Sequence, residues 1–237
     1  MKLNSNIVIT GGHGRFAAVL KKTFNSNKIF YPNKNQLNIL SKNSITNYLK
    51  RIKPKIIIHL AGLSRPMKIH DYDLNKSINL NIIGTCNIVT ECVKKNIKLI
   101  YFSTNYVYPC KKGSYKETDP LLPINNYAWS KLGGECAVQM YKNSLILRVS
   151  MTESPFVHKY AYSNVTTNFL YHHEVANILP KLLKCRGILN IGGVKRTIYN
   201  FAKKDNVKIK KKISRNNTFL SPSINTNKLK QIIKKIK

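Results

Sequence analysis

Tyr127 and Lys131 stand four residues apart in Tyr127-Ala128-Trp129-Ser130-Lys131, with Thr104 upstream of them. A phenol, with a free pKa of about 10, is a poor acid or base near neutrality unless a fixed cation stabilises its phenolate. Residues i and i+4 share one helix face, so the Lys131 ammonium can reach the Tyr127 phenol or a ligand held beside it. Such a pair can move a proton. In so Lys-rich a chain it also arises by chance, and its meaning depends on the elements that would position it.

A second chemical signal lies near the start, in Thr10-Gly11-Gly12-His13-Gly14-Arg15-Phe16-Ala17. It follows an apolar β-branched run and opens a helix-period segment, the context that a dinucleotide fingerprint requires. Glycines at 11 and 14 permit a tight turn and close approach of the backbone to a pyrophosphate at the positive end of a helix. Gly11, Gly14, Arg15 and Phe16 are the candidate contacts of this loop. A site that prefers NAD offers an acid after the second strand, whereas a 2'-phosphate calls for cations. Here the segment reads Tyr31-Pro32-Asn33-Lys34, and Arg15 adds a guanidinium suited to a phosphate, so NADPH is expected, with NADH still open.

Stepping outward, β-branched runs at 6–10, 28–31, 55–60, 97–103 and 144–149 read as strands. Helix-period segments separate them: Phe16, Leu20 and Phe24; a long helix through Leu80, Ile83, Asn87 and Val89 to Val93; and 129–141. The alternation predicts an α/β fold, a Rossmann-type doubly wound parallel sheet with helices on both faces. Residues 1–150 form the dinucleotide-binding domain of this reading. Residues 151–237 form a small, shortened C-terminal substrate lobe interwoven with it, with a helix from near Glu174, a strand at 187–191, a short helix at 198–203 and a basic helix from Asn227.

The 237 residues carry 41 Lys and Arg against nine Asp and Glu, a net charge of +32. Lys, Asn and Ile dominate, and their codons are rich in A and T, so base bias explains much of the charge. The cations are scattered with no aromatic-interleaved stripe, and no specific nucleic-acid partner is expected. Five cysteines without CxxC or metal-type spacing read as reduced thiols, Cys110 among them as a small buried hydrophobe. No apolar run is long enough for a signal peptide or a membrane span, so a cytoplasmic protein without a membrane partner is expected. His172-His173-Glu174 invites a metal, but consecutive helical residues point in different directions, and no metal site is expected. Trp129 is expected to pack. Arg65, Arg148 and Arg196 are each able to clamp a diphosphate, and spacing does not choose among them.

Five ordered segments carry a family resemblance: 10–17, Ile58-His59-Leu60-Ala61-Gly62, Asn81-Ile82-Ile83-Gly84-Thr85, Phe102-Ser103-Thr104-Asn105-Tyr106-Val107-Tyr108, and 127–135. In order and spacing they resemble the extended short-chain dehydrogenase/reductases, most nearly the dTDP-4-dehydrorhamnose reductases. The resemblance implies an oxidoreductase: an NADPH-dependent reductase of a nucleotide-linked 4-keto-6-deoxy sugar, serving deoxysugar supply for a surface glycan. It implies that Tyr127 protonates the sugar oxygen, Lys131 lowers the Tyr127 pKa and holds the nicotinamide ribose, and Thr104 orients the substrate carbonyl. Leu60, Ala61 and Gly62 would line the cofactor, and Asn38 and Ile39 would flank the adenine. A nucleotide sugar is the partner implied, and a homodimer is compatible with it.

Neighbouring activities are separated by residue. Asn105 and Tyr106 stand where 4,6-dehydratases carry an Asp-Glu pair, and Tyr106 stands where enzymes that both epimerise and reduce GDP-sugars carry a Cys. An NAD-dependent 4-epimerase stays open. So does a non-catalytic NADP-binding regulatory subunit, because one regulatory subunit of methionine adenosyltransferase resembles the same reductases. Ala17 replaces the usual third glycine, and the segment after Ser150 is short for a sugar-nucleotide reductase.

Overall fold

In the computed structural model, which describes residues 4–217 and 219–235, five β-branched strands and one late strand build a single parallel sheet. They are β1 (Ile7–Thr10), β2 (Ile29–Phe30), β3 (Ile56–His59), β4 (Lys98–Thr104), β5 (Ser144–Val149) and β10 (Gly187–Ile191). Their spatial order is β2-β1-β3-β4-β5-β10. The chain leaves β1 for β2 on one side and returns to place β3 on the other, so the strand order reverses between β1 and β3. Ligands of open α/β sheets bind outside the carboxyl ends of the strands at such a point.

Alternation along the strands divides the core. Ile7, Ile9, Ile58, Ile100, Phe102 and Leu147 face α1 (Arg15–Thr23), α7 (His172–Ile178) and Leu229 of α9 (Asn227–Lys235). Val8, Ile57, Leu99, Tyr101 and Ile146 face α2 (Lys42–Ile52), α5 (Gly84–Lys95) and α6 (Asn126–Gln139). Strands buried on both faces are hydrophobic throughout, which is why they are legible as continuous runs.

One helical segment differs from expectation. Helix α2 was not among the predicted elements, although Ile45, Tyr48, Leu49 and Ile52 have helical spacing and Ser41 caps it by accepting the Ser44 N–H at 3.2 Å. The long helix expected through Leu80 is present and runs without interruption through α4 (Leu74–Ile78), a π turn at Asn79–Ile83 and α5, with the short α3 (Ile69–Tyr72) before it. Such π turns often sit at functional positions because they re-aim one side chain, here Asn81.

After β5 the chain forms short pairings: β6 (Met151–Thr152) with β9 (Leu170–Tyr171), β7 (Tyr160–Tyr162) with β12 (Lys210–Lys212), and β8 (Thr166–Thr167) with β11 (Arg196–Thr197). Phe156, Val165, Tyr171, Ile198 and Phe201 give this lobe its own apolar centre, to which α8 (Ile198–Ala202) contributes. β10 then returns to the edge of the main sheet beside β5.

Candidate active site

The glycine loop is shaped by crowding. Gly11 has φ +68°, and a Cβ there would lie 2.8 Å from the backbone of Ala61 in the loop after β3. The Gly14 N–H donates to the Gly11 carbonyl at 2.8 Å, closing the turn, and α1 starts at Arg15 with no side chain capping its first turn. Those first-turn N–H groups and the helix dipole suit an anion. Phe16 is buried, its ring centroid 5.2 Å from that of Phe102.

Below the loop runs a buried hydrogen-bond chain. Thr10 Oγ1 accepts the Ala61 N–H at 3.1 Å and lies 2.7 Å from His59 Nδ1. His59 Nε2 lies 3.2 Å from Thr85 Oγ1, which donates to the Asn81 carbonyl at 2.7 Å. This order assigns the ring proton to Nε2, with Nδ1 accepting from Thr10. Burial, followed by the charge of Lys131, pushes the His59 pKa down to about 3. His59 is a neutral strut.

Asn81 joins two parts of the site. Its Oδ1 accepts the Leu63 N–H at 2.7 Å, and its Nδ2 donates to the Leu63 carbonyl at 2.9 Å and to Ser130 Oγ at 2.8 Å. Gly62 is required beside it, since a Cβ there would stand 2.7 Å from Asn81 Oδ1. Ala61 and Gly62 are thus brought to the glycine loop and to α6, while Leu60 packs partly into the core.

Thr104 ends β4, and Tyr127 is the second residue of α6, whose start is fixed by Asn125 Oδ1 accepting the Ala128 N–H at 2.8 Å. The Thr104 and Tyr127 side chains face the same cavity. Burial raises the Tyr127 pKa, opposed by the Thr104 hydroxyl and then by the Arg65 and Arg15 guanidinium groups. The phenol therefore keeps its proton at neutral pH. Lys131 Nζ sits 4.2 Å above the Tyr101 ring, and burial, opposed by Glu135, pushes its pKa down to about 7. In the free chain the charges that lower the Tyr127 pKa are those of Arg65 and Arg15.

Thr104 and Tyr127 line a cavity of about 820 Å³ at the carboxyl end of the sheet, roofed by lobe residues such as Phe156, Tyr160 and Phe219. Arg15 and Arg65 reach the same cavity from the start of α1 and the loop after β3. Arg15 NH2 donates to Ser64 Oγ at 3.2 Å and its Nε lies 3.1 Å from Glu153 Oε1. Arg65 NH1 lies 2.6 Å from Glu153 Oε2. The Arg15 side chain is therefore held between the loop after β3 and the lobe.

Other expectations separate. Asn38 and Ile39 lie in the turn between β2 and α2: Asn38 Oδ1 accepts the Leu40 N–H at 3.0 Å, and Ile39 is buried against Gly84, so neither lines the cavity. Of the three arginines, Arg65 reaches the cavity, Arg148 is buried against Glu135, and Arg196 lies 5.9 Å from the Phe201 ring. Trp129 is 51% exposed and does not pack as expected, because its side of α6 faces outward. Cys110 is buried, its thiol donating to the Tyr108 carbonyl at 3.2 Å. Glu174 caps α7 by accepting the Tyr171 N–H at 2.6 Å, and no His, Cys, Asp or Glu cluster among the described residues could hold a metal. Nor is any described helix long and apolar enough to cross a membrane.

Sequence reasoning gave no role to Asn81 or Glu153. The signal for Glu153 was its rarity, one of nine acids in the whole chain.

Residues 5–170 match the model of the RmlD substrate binding domain family. Among curated proteins, the methionine adenosyltransferase 2 subunit beta of Pongo abelii is 28% identical over 178 residues, 70% of this chain and 52% of the relative. The dTDP-4-dehydrorhamnose reductase of Aggregatibacter actinomycetemcomitans is 27% identical over 153 residues, 62% of this chain and 52% of the relative. The chain thus spans about half the length of the curated relatives it matches. Among solved structures, the dTDP-4-dehydrorhamnose reductase of Bacillus anthracis in complex with NADP superposes with a TM-score of 0.84 at 20% identity, covering 98% of this chain and 92% of that one. The enzyme WbmG of Bordetella bronchiseptica in complex with NAD superposes with a TM-score of 0.76 at 16% identity, covering 97% and 87%. The chain, with its parallel sheet and its loops gathered at the strand ends, belongs to the RmlD substrate binding domain family.

Proposed function

We propose that this protein is an NADPH-dependent reductase of a nucleotide-linked 4-keto-6-deoxy sugar, with NADH as an alternative reductant. The observation that carries this reading is the placement of Thr104 and a protonated Tyr127 together on the wall of one cavity at the carboxyl end of the sheet. A dinucleotide fits the chain: Gly11 permits the loop to close on Ala61, and the first turn of α1 carries no side-chain cap. The solved relatives named with NADP and NAD support the same cofactor class.

When bound, the reduced nicotinamide supplies a hydride to the carbonyl carbon of the sugar. Tyr127 then gives its phenolic proton to the carbonyl oxygen, a task for which a raised pKa in the free chain keeps the proton in place. Thr104 Oγ1, on the same cavity wall, orients that oxygen. Lys131, half charged near neutrality, would hold the ribose, and Arg65 and Arg15 favour the phenolate left behind. The aromatic side chains of the lobe shield the reacting carbon from water.

The similarity to subunits of methionine adenosyltransferase favours a second reading, a cofactor-binding regulatory protein without turnover. Purified protein incubated with NADPH and a panel of 4-keto sugar nucleotides separates the two. Loss of nicotinamide absorbance in the wild type, removed in Tyr127→Phe with cofactor affinity unchanged, supports the reductase. Tight NADPH binding without turnover of any sugar supports the regulator.

A further inference from the structure

We propose that Arg15 and Arg65 form a seat for a diphosphate group, and that Glu153 occupies this seat as an internal anion which an arriving nucleotide displaces. The inference rests on the reading that the chain binds a diphosphate-bearing nucleotide, whether or not it turns one over.

Two guanidinium groups, one from the start of α1 and one from the loop after β3, converge on one carboxylate, each taking a different oxygen: Arg15 Nε at 3.1 Å from Oε1 and Arg65 NH1 at 2.6 Å from Oε2. The carboxylate offsets the repulsion between the two guanidinium groups that share it. An arginine carries five N–H donors, and Glu153 engages one from each, so most of the donor capacity of the seat points elsewhere. Phosphate oxygens are better matched to paired guanidinium groups than a single carboxylate, both in charge and in the bidentate geometry they offer. The seat adjoins the first turn of α1, of which Arg15 is the first residue, so a diphosphate can span from those amides to the two arginines.

The contrast with Glu135 and Arg148 shows why the Glu153 contacts are exchangeable. The Arg148 and Glu135 side chains are 2% and 0% exposed, and Ser103 holds the second carboxylate oxygen, which makes a fixed strut. The Arg15, Arg65 and Glu153 side chains are 49%, 33% and 19% exposed, and all three line the cavity that a ligand enters. Glu153 also sits just after β6, where the chain leaves the main sheet for the lobe. Its contacts tie the lobe entrance to the start of α1 and the loop after β3 while the seat holds the carboxylate, and ligand binding releases that tie.

The test is isothermal titration of wild type, Glu153→Gln, Arg65→Gln and the double variant with inorganic pyrophosphate, NADPH, NADH, UDP and dTDP, with a thermal melt of each protein. Glu153→Gln is expected to bind pyrophosphate about threefold to tenfold more tightly, the factor that two exposed ion pairs represent. Arg65→Gln weakens binding, and in the double variant the gain from Glu153→Gln disappears. A gain confined to NADPH and NADH assigns the seat to the dinucleotide, and one confined to UDP and dTDP assigns it to the nucleotide sugar. Unchanged or weaker binding by a normally melting Glu153→Gln protein, or a gain that persists without Arg65, overturns the inference while leaving the reductase reading intact. No binding of any nucleotide by the wild type overturns both.

Discussion

Glu135 Oε1 receives both Nε and NH2 of Arg148, at 3.0 and 2.6 Å, one turn along α6 from Lys131. The pair is fully enclosed, and Arg148 NH1 extends it to the Tyr108 hydroxyl at 2.7 Å, which in turn donates to Asn190 Oδ1 at 3.0 Å on β10. The helix that carries Tyr127 is thereby pinned to β5 and to the edge strand.

Breaking that pair from one side strands a buried charge. Arg148→Met should lower stability in urea unfolding by about 3–5 kcal/mol, whereas the double change Arg148→Met with Glu135→Met should recover a large part of the loss. An unchanged unfolding midpoint in Arg148→Met would show that the pair does not hold the helix.

Lys131 makes the free chain's stability depend on alkali. Its folded pKa of about 7 lies below the ordinary 10.5, so between these values the folded chain holds fewer protons than the unfolded one. Its contribution therefore improves as pH rises through that window and is least favourable below 7. Lys131→Met should raise Tm more at pH 6 than at pH 9, by about 2–4 °C for each kcal/mol of relief in a chain of this size. Melts at the two pH values check the sign. Because Lys131 is half-buried, solvent screening keeps the effect below what the full shift implies.

Acid should act through the histidines. His59 has a folded pKa of about 3 and His172 of about 4, against an ordinary 6.5, both chiefly from burial. Their stabilising contribution is complete above 6.5 and is lost as pH falls toward the folded values, at up to about 1.4 kcal/mol per pH unit for each group. Circular dichroism melts from pH 7 to pH 4 should show a falling Tm, and His59→Gln should flatten that fall.

Tyr127 should behave as an acid whose proton is retained through the neutral range. With sugar substrate and reduced cofactor, Tyr127→Phe should lower kcat by about a hundredfold or more, the scale of a general acid. Thr104→Val should lower kcat while leaving the cofactor Kd close to wild type. Steady-state rates paired with cofactor titration separate this from a structural defect, which would lower both.

The central strands could be read before any coordinates because burial on both faces leaves no polar residue to interrupt Ile7 to Ile9, Ile56 to Ile58 or Leu99 to Phe102. Helix α2 escaped notice because its buried face is only Ile45, Tyr48 and Leu49 within a polar run. The pairings β6–β9, β7–β12 and β8–β11 involve two or three residues each, and such short strands exist through partners distant in sequence. In the site, Gly11, Thr104 and Tyr127 were visible as motif members at fixed chain offsets. The meeting of Glu153 with Arg15 and Arg65 depends on which loops the sheet order brings together, and no local pattern encodes that. The direction of the Arg15 side chain was decided in the same way.

Asn81 gives the site an unusual kind of economy. Its single amide is bonded at once to the loop after β3 and to the helix that presents the phenol, at Leu63 and Ser130. A displacement of either is transmitted to the other without passing through the sheet. Loop and helix are therefore coupled through one side chain, and a substitution that moves the loop at Gly62 would also re-aim the phenol. Changes on the two sides of Asn81 would be selected together.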